Sequence, residues 1–297
     1  MNETSFRSLI IERSSTLHLC DGLLIISNQD SIKEIPLGQI SSLIITTSSV
    51  SVTAALLAEM MKNNISVIVC DEKRLPVGVM HTVGNNYVSA GRIIRQTRWN
   101  SECQDEVWSA IVRMKIKNSI SVLLFFDKEI EAKCLERHLS KLEIGDWTNR
   151  EAICAKIYFQ ALFGRDFNRN IPSDINAALN YGYAILASHI SRFLAGGGYC
   201  PALGIHHHSQ NNYWNLTYDL IEPFRFIVDK FVYERVGFEF DRTIKNGLIE
   251  LGEAKIKYGK RRCTVNYAMD CFCNDVLKSL DSRRSNIKEV SMLCETE

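Results

Sequence analysis

Apolar residues recur along this chain with two different periods. Up to about residue 80 they come in short runs rich in β-branched side chains: Phe6–Glu12, Leu17–Leu19, Gly22–Ser27, Ile32–Ile35, Ile40–Thr46, Ser66–Cys70 and Val77–Met80. Runs of this length, separated by polar and turn residues, predict strands, and Asp21-Gly22 between two of them predicts a hairpin. One segment breaks the rhythm. Thr53–Lys62 sets Ala, Leu and Met at helical spacing, which predicts a single helix that Asn63-Asn64 ends.

From about Ser89 the period lengthens to that of an α-helix. Helices are predicted over Arg92–Trp99, Asp105–Asp127, Lys128–Ser140, Asn149–Phe163, Ile175–Leu194, Asp219–Tyr233 and Cys263–Leu280, with loop residues such as Gly145-Asp146 and Gly196–Gly198 between them. His81–Ser89 is polar and rich in Gly and Asn, as linkers are. The expected fold class is α+β. It comprises a β-rich, β-sandwich-like domain with one short helix over residues 1–80, a linker over 81–89, an all-α domain over 90–281, and a mobile tail over 282–297 with little apolar content.

Composition narrows the possibilities. The 297 residues are 46% hydrophobic and 23% charged, which suits folded domains with real cores. A formal charge of +1 excludes a generally basic nucleic-acid coat and leaves room only for a local basic groove. Residues 1–80 carry six Lys and Arg against eight Asp and Glu, a local charge of −2. None of the ten cysteines forms a C-x-x-C pair, and Cys271-Phe272-Cys273 has no second half of a zinc site, so reduced thiols are expected. The polar start lacks a signal-peptide core, and no apolar run reaches the 18 or so residues of a membrane span. A cytoplasmic protein without a membrane partner is expected.

Candidate chemistry gathers around Gly204-Ile205-His206-His207-His208 and the later Tyr218-Asp219-Leu220-Ile221-Glu222-Pro223-Phe224-Arg225. Residues three apart share a helix face, so Asp219 and Glu222 can address one spot that a preceding histidine reaches. One imidazole with carboxylates makes a hard, partly open site for a divalent ion, as phosphate chemistry uses. A solvated turn would explain the histidines alone, and a pair with Arg225 would explain Glu222 alone. The two together, within the apolar register Leu216, Leu220, Ile221 and Phe224, place the acids beside a buried face where they need partners. A third ligand must come from elsewhere. Glu151 is the favoured candidate, although Thr148-Asn149-Arg150-Glu151 also fits a capping box, and spacing leaves Glu131, Glu136 and Glu143 open. Arg92, Arg95 and Arg98 form one basic stripe, and Lys257, Arg261 and Arg262 cluster about Tyr258-Gly259. Both groups fit phosphate-backbone contact or a solvated face. There is no P-loop, nucleophile elbow or Rossmann fingerprint.

Three blocks carry a resemblance: Asp71–Pro76, Ile175–Leu186 (INAALNYGYAIL) and Gly204–Arg225. Together they resemble the CRISPR-associated integrases of the Cas1 family, most closely the subgroup that accompanies the single-protein effector of type II systems. The resemblance runs from residue 6 to about 280. It implies an N-terminal β-domain that dimerises and a helical domain that binds Mg2+ or Mn2+ through Glu151, His207 and Glu222, with Asp219 close by. Two further histidines flank His207, so the register leaves His206 or His208 as alternatives. The implied function is a metal-dependent integrase and endonuclease of spacer acquisition. It would join the 3′-hydroxyls of a short double-stranded DNA fragment to the CRISPR repeat by direct transesterification. The implied assembly is two homodimers on a Cas2 partner. The alternative is a DNA-binding scaffold of that assembly with little turnover.

Overall fold

A computed structural model of the chain describes residues 7–70, 76–80, 82, 89–283 and 286–293. They fall into two compact units, the first running to Ser89 and including Leu194–Tyr199, the second comprising Ala90–Phe193 and Cys200 onward. Most of the expected linker 81–89, and most of the block Asp71–Pro76, lie outside the described residues. Ser89 itself opens a helix.

The first unit contains strands β1 (Arg7–Ile11), β2 (Ser15–Cys20), β3 (Leu23–Ser27), β4 (Ile32–Pro36), β5 (Ile40–Ile45) and β6 (Val50–Val52), helix α1 (Ala54–Lys62), and strands β7 (Ser66–Cys70) and β8 (Pro76–Met80). Two four-stranded sheets result, ordered β1-β5-β7-β8 and β4-β3-β2-β6. In the first, β1, β5 and β7 run parallel and β8 antiparallel. The predicted hairpin forms where Cys20 pairs with Leu23, and Asp21 and Gly22 both take the positive φ that a two-residue turn demands. Leu17, Leu24, Leu43, Leu56, Met60 and Val67 meet in one core that joins both sheets to α1. The Thr53 hydroxyl starts α1 by accepting from the Leu56 amide.

The second unit is mainly helical: α2 (Ser89–Gln96), α3 (Ser101–Phe125), α4 (Glu129–Leu139), α5 (Arg150–Phe163), α6 (Asp174–Gly196), α7 (Asn215–Ile221), α8 (Arg225–Tyr233), α9 (Arg242–Glu250) and α10 (Val265–Ser282). Helix α3 is its axis. Val107, Ile111, Val112, Ile116, Val122 and Leu123 are almost wholly buried, and α3 touches α4, α5, α8 and α10. Its broad apolar face packs against those helices, while Glu102, Glu106, Arg113 and Lys117 stay exposed.

The α+β class holds, with a strand-rich N-terminal region and a helical C-terminal region, but four details of the sequence reading need correction. The helical unit is not all-α. It carries β9 (Lys255–Tyr258), β10 (Arg261–Thr264) and β11 (Val290–Ser291), ordered β10-β9-β11. Four-residue strands fall below the length at which a period of two is distinguishable. Residues 286–293 of the segment expected to be mobile are ordered: Val290 pairs with Tyr258 and is 1% exposed, because one apolar residue over a sheet edge suffices to dock them. The predicted helix Asp219–Tyr233 breaks at Glu222–Phe224 into a single 3-10 turn, since Pro223 has no amide to donate. Arg98 lies beyond the end of α2, so the basic stripe of Arg92 and Arg95 stops short of it.

Candidate active site

The site forms entirely within the second unit. Two carboxylates from distant parts of the sequence converge on one ammonium. Lys115, on α3, contacts Glu151 Oε1 in the first turn of α5, and its Nζ lies 2.5 Å from Glu222 Oε2. Both contacts are ion pairs, so one ammonium serves two carboxylates. Arg225 Nη2 binds the other oxygen, Glu222 Oε1, at 2.8 Å. The expected pairing of Glu222 with Arg225 is therefore present, and the site is present as well. Burial opposes the Glu222 charge, but Arg225 and Lys115 outweigh it and hold its pKa down at about 2. Burial likewise opposes the Lys115 ammonium, and the charges of Glu222 and Glu151 raise its pKa nonetheless.

Glu151 is not the capping residue. The start of α5 is capped by Asp146, whose Oδ1 accepts from the Arg150 amide at 2.7 Å and whose Oδ2 accepts from the Glu151 amide at 2.9 Å. Asn149, at the cap position, takes a left-handed φ of 53° and makes no capping bond. With Asp146 in that role, the Glu151 side chain turns to Lys115.

The histidine loop hangs on Asp219. That residue is fully buried at the end of α7, and its Oδ2 accepts from the amides of Ile205 at 2.6 Å and His206 at 3.1 Å. Its Oδ1 faces His207 Nδ1 at 2.5 Å. A carboxylate partner requires the proton on Nδ1, which leaves Nε2 with a lone pair for a ligand. The hydrogen bond that His207 donates to Asp219 raises the His207 pKa against the effect of burial, and the Glu222 and Glu151 charges act in the same direction. His206 turns aside to stack on Trp108, ring centroids 4.3 Å apart, and burial lowers its pKa. His208 is exposed. Gly204 makes the loop possible: a Cβ there would overlap the His207 carbonyl oxygen and lie 2.9 Å from Asp219 Oδ2.

Asp219 and Glu222 therefore do not address one spot. Glu222 faces Lys115 and Arg225, and Asp219 binds His207 and the loop amides. Among the described residues no three His, Cys, Asp or Glu side chains stand close enough to clasp a metal ion as they are.

Against this geometry the comparisons are decisive for the family. The family model described as CRISPR associated protein Cas1 matches residues 9–237. The chain belongs to the Cas1 family. It is 34% identical over 271 residues to the CRISPR-associated endonuclease Cas1 of Neisseria meningitidis serogroup C (strain 8013), covering 90% of this chain and 89% of that protein. Among solved structures, a casposase bound to integration product superposes with a TM-score of 0.77 at 20% identity, covering 95% of this chain and 92% of that one. A Cas6-RT-Cas1–Cas2 complex gives a TM-score of 0.77 at 17% identity, with this chain fully covered and 37% of that one. Likenesses at that identity establish the Cas1 fold alone.

Sequence reasoning missed several members of this Cas1 site. Lys115 and Asn118 sit in an otherwise apolar stretch of α3, and polar groups in such a stretch were the available signal. Asn118, 1% exposed, donates to the Pro223 carbonyl at 2.9 Å and the Val290 carbonyl at 3.0 Å, so it holds both the Glu222 turn and β11. Gln96 braces the histidine loop by donating to the carbonyls of Cys200 and Leu203, both at 2.8 Å. Of the basic candidates, Lys257 and Arg262 are cross-strand partners on one face of the β9–β10 hairpin, while Arg261 binds the Tyr267 hydroxyl at 2.9 Å. Arg95 and Arg98 are exposed.

Proposed function

We propose that this chain is a metal-dependent DNA integrase and endonuclease of CRISPR spacer acquisition, from the type II subgroup that its motifs resemble. Membership of the Cas1 family supports the reading. The observation that carries it is the convergence of Glu151 and Glu222 on one cation, beside a histidine whose Nδ1 is tied back to a buried aspartate.

The residues fit a divalent ion. Glu222 is buried, its carboxylate and that of Glu151 stand within reach of one cation, and His207 has a nitrogen to offer. Glu151, His207 and Glu222 would hold Mg2+ or Mn2+; His ligation suits Mn2+, and the carboxylates suit either. The bound ion would lower the pKa of an attacking 3′-hydroxyl or water and offset charge on the phosphate. The chain's own residues do the rest. Asp219 fixes the tautomer and orientation of His207, and Arg225 keeps Glu222 ionised and its carboxylate in one orientation. Asn118 holds the turn that presents Glu222. Direct transesterification requires no protein nucleophile.

For partners, double-stranded DNA, as spacer fragment and CRISPR repeat, and a Cas2 protein follow from the same reading. The likeness to a casposase bound to integration product and to a Cas6-RT-Cas1–Cas2 complex supports it. The β-rich unit would serve the homodimer, with two dimers per complex. Its local charge of −2 suits a surface that does not face DNA. Arg92, Arg95, Arg98, Lys257, Arg261 and Arg262 are the cations proposed to meet the phosphate backbone. Among the described residues no helix is long and apolar enough to cross a membrane.

The test is an integration assay with the Cas2 partner, a labelled duplex with 3′ overhangs and a supercoiled plasmid carrying the repeat, in Mg2+ and in Mn2+. Labelled plasmid is expected with wild type and with His208→Ala, and its loss with Glu151→Ala, His207→Ala and Glu222→Ala. Product that survives all three of these changes would sink the metal-site assignment, and no labelled plasmid with wild type would favour the scaffold reading.

A further inference from the structure

Among the described residues, Lys115 is the one charged group that touches both acids of the site, and its position has a consequence for metal loading. Its ammonium reaches Glu151 Oε1 and Glu222 Oε2 together, so these oxygens stand within the span that a single cation bridges. A divalent ion held by the same oxygens at the usual ~2.0–2.2 Å would lie where Nζ lies. Two cations cannot share that place, because both their volumes and their charges forbid it. The lysine is largely enclosed: its side chain is 16% exposed, and its neighbours Met114, Ile116, Asn118 and Ser119 on α3 are buried.

We propose that Lys115 is an internal competitor for the metal, so that loading is an exchange in which its ammonium leaves the two carboxylates as the divalent ion arrives. This rests on the metal-site reading given above and deepens it. The room for the exchange exists. A cavity of about 260 Å³ adjoins the acids and is lined by Lys115 itself, with Ser119, Tyr158, Tyr183 and Asp229 among its other walls. The withdrawn ammonium can enter that cavity without crossing the protein. There it finds a buried carboxyl, Asp229, whose present partner is the Tyr183 hydroxyl. Arg225 does not move, since it binds the opposite oxygen of Glu222. The exchange has two effects. It keeps Glu151 and Glu222 from repelling each other when no metal is bound, and it weakens metal affinity by the strength of the ion pairs that must break.

Mn2+ binding by isothermal titration, alongside thermal unfolding in EDTA and in Mn2+, tests this on the full chain without any activity readout. Lys115→Met is expected to unfold at a lower temperature than wild type in EDTA, to gain more from Mn2+ than wild type gains, and to bind Mn2+ at least about tenfold more tightly. Lys115→Arg, which keeps a cation between the acids and grips carboxylates with two hydrogen bonds, is expected to bind Mn2+ more weakly than Lys115→Met and serves if that variant does not fold. Mn2+ affinity that is unchanged or lower in Lys115→Met, or equal between the two variants, would overturn the exchange while leaving the metal site intact. Absence of Mn2+ binding by wild type and both variants would overturn the metal site and the exchange with it.

Discussion

His207 Nδ1 stands 2.5 Å from Asp219 Oδ1, and the other oxygen of the same carboxylate accepts the amides of Ile205 and His206. One buried carboxylate thus sets both the path of the loop and the orientation of the ring. Asp219→Asn removes the charge and turns one oxygen into a donor facing amides. Mn2+ affinity is expected to fall about 10–100-fold, the usual effect of losing an outer carboxylate behind a ligating histidine. Integration should fall with it, and titration calorimetry beside the plasmid assay reads both.

Gly204 is a packing requirement at the same loop. Gly204→Ala drives a methyl into the His207 carbonyl oxygen and toward Asp219. Backbone cannot yield as a flexible side chain can, so a loss of about 2–4 kcal/mol is expected, which is roughly 5–15 °C in melting temperature. Gly38→Ala, where nothing lies within 4 Å, is the control and should leave the melting temperature within a degree or two. Equal melting temperatures for the two variants would refute the steric account.

The ordered tail is testable by truncation. Val290 is 1% exposed, and its carbonyl accepts from Asn118. Ending the chain at Glu289 removes one buried valine and leaves half of the Asn118 amide unpaired, a combined loss of about 2–4 kcal/mol. Because Asn118 also holds the Pro223 carbonyl, the truncated chain should lose integration activity along with stability, which a mobile tail would not cause.

Glu222 fixes the acid limit of stability. Its folded pKa, about 2, lies below the ordinary carboxylate value of 4.5. A depressed acid contributes stability that is complete above about pH 4.5 and is lost as pH falls toward 2, on the order of 2–3 kcal/mol for a buried group. Glu222→Gln should therefore melt well below wild type at pH 7, and the gap should close between pH 4.5 and 2. A gap that stays constant across that window would show that the carboxylate charge is not what stabilises the site.

The hairpin cations predict a salt effect. Lys257 and Arg262 share one face of β9–β10. If that face meets DNA, Arg262→Ala should weaken duplex binding for all sequences alike and reduce the slope of log affinity against log salt by about one. An unchanged slope would remove this face from the DNA path.

How much of this was legible in advance follows the range of the forces involved. Strand periods up to residue 80, the Asp21-Gly22 hairpin and the seven helical stretches all arise from contacts between near neighbours, so the one-dimensional pattern carries them. His207, Asp219, Glu222 and Glu151 were legible as chemistry, because carboxylates in an apolar register declare a need for partners. Their partners were not. Lys115 and Asn118 sit in a helix whose spacing says only that it is buried. Asp146 displaced the Thr148 capping box because a local turn, with positive φ at Gly145, Asp146 and Asn149, carries its carboxylate to the first amides of α5, and the spacing does not announce those dihedrals. Glu222 met cations from α3 and α8 while Asp219 met the histidine loop, so two acids that spacing had joined took separate duties.

The sequence by itself determined the α+β class, the change of pattern near residue 85 and the set of residue types able to hold a hard cation. Tertiary structure alone decided which nitrogen His207 offers, which cation stands between Glu151 and Glu222, and that the chain after Asp281 returns to β9. Local pattern records which side of an element is buried. The directions of hydrogen bonds and ion pairs are set only when elements from distant parts of the chain close upon one another.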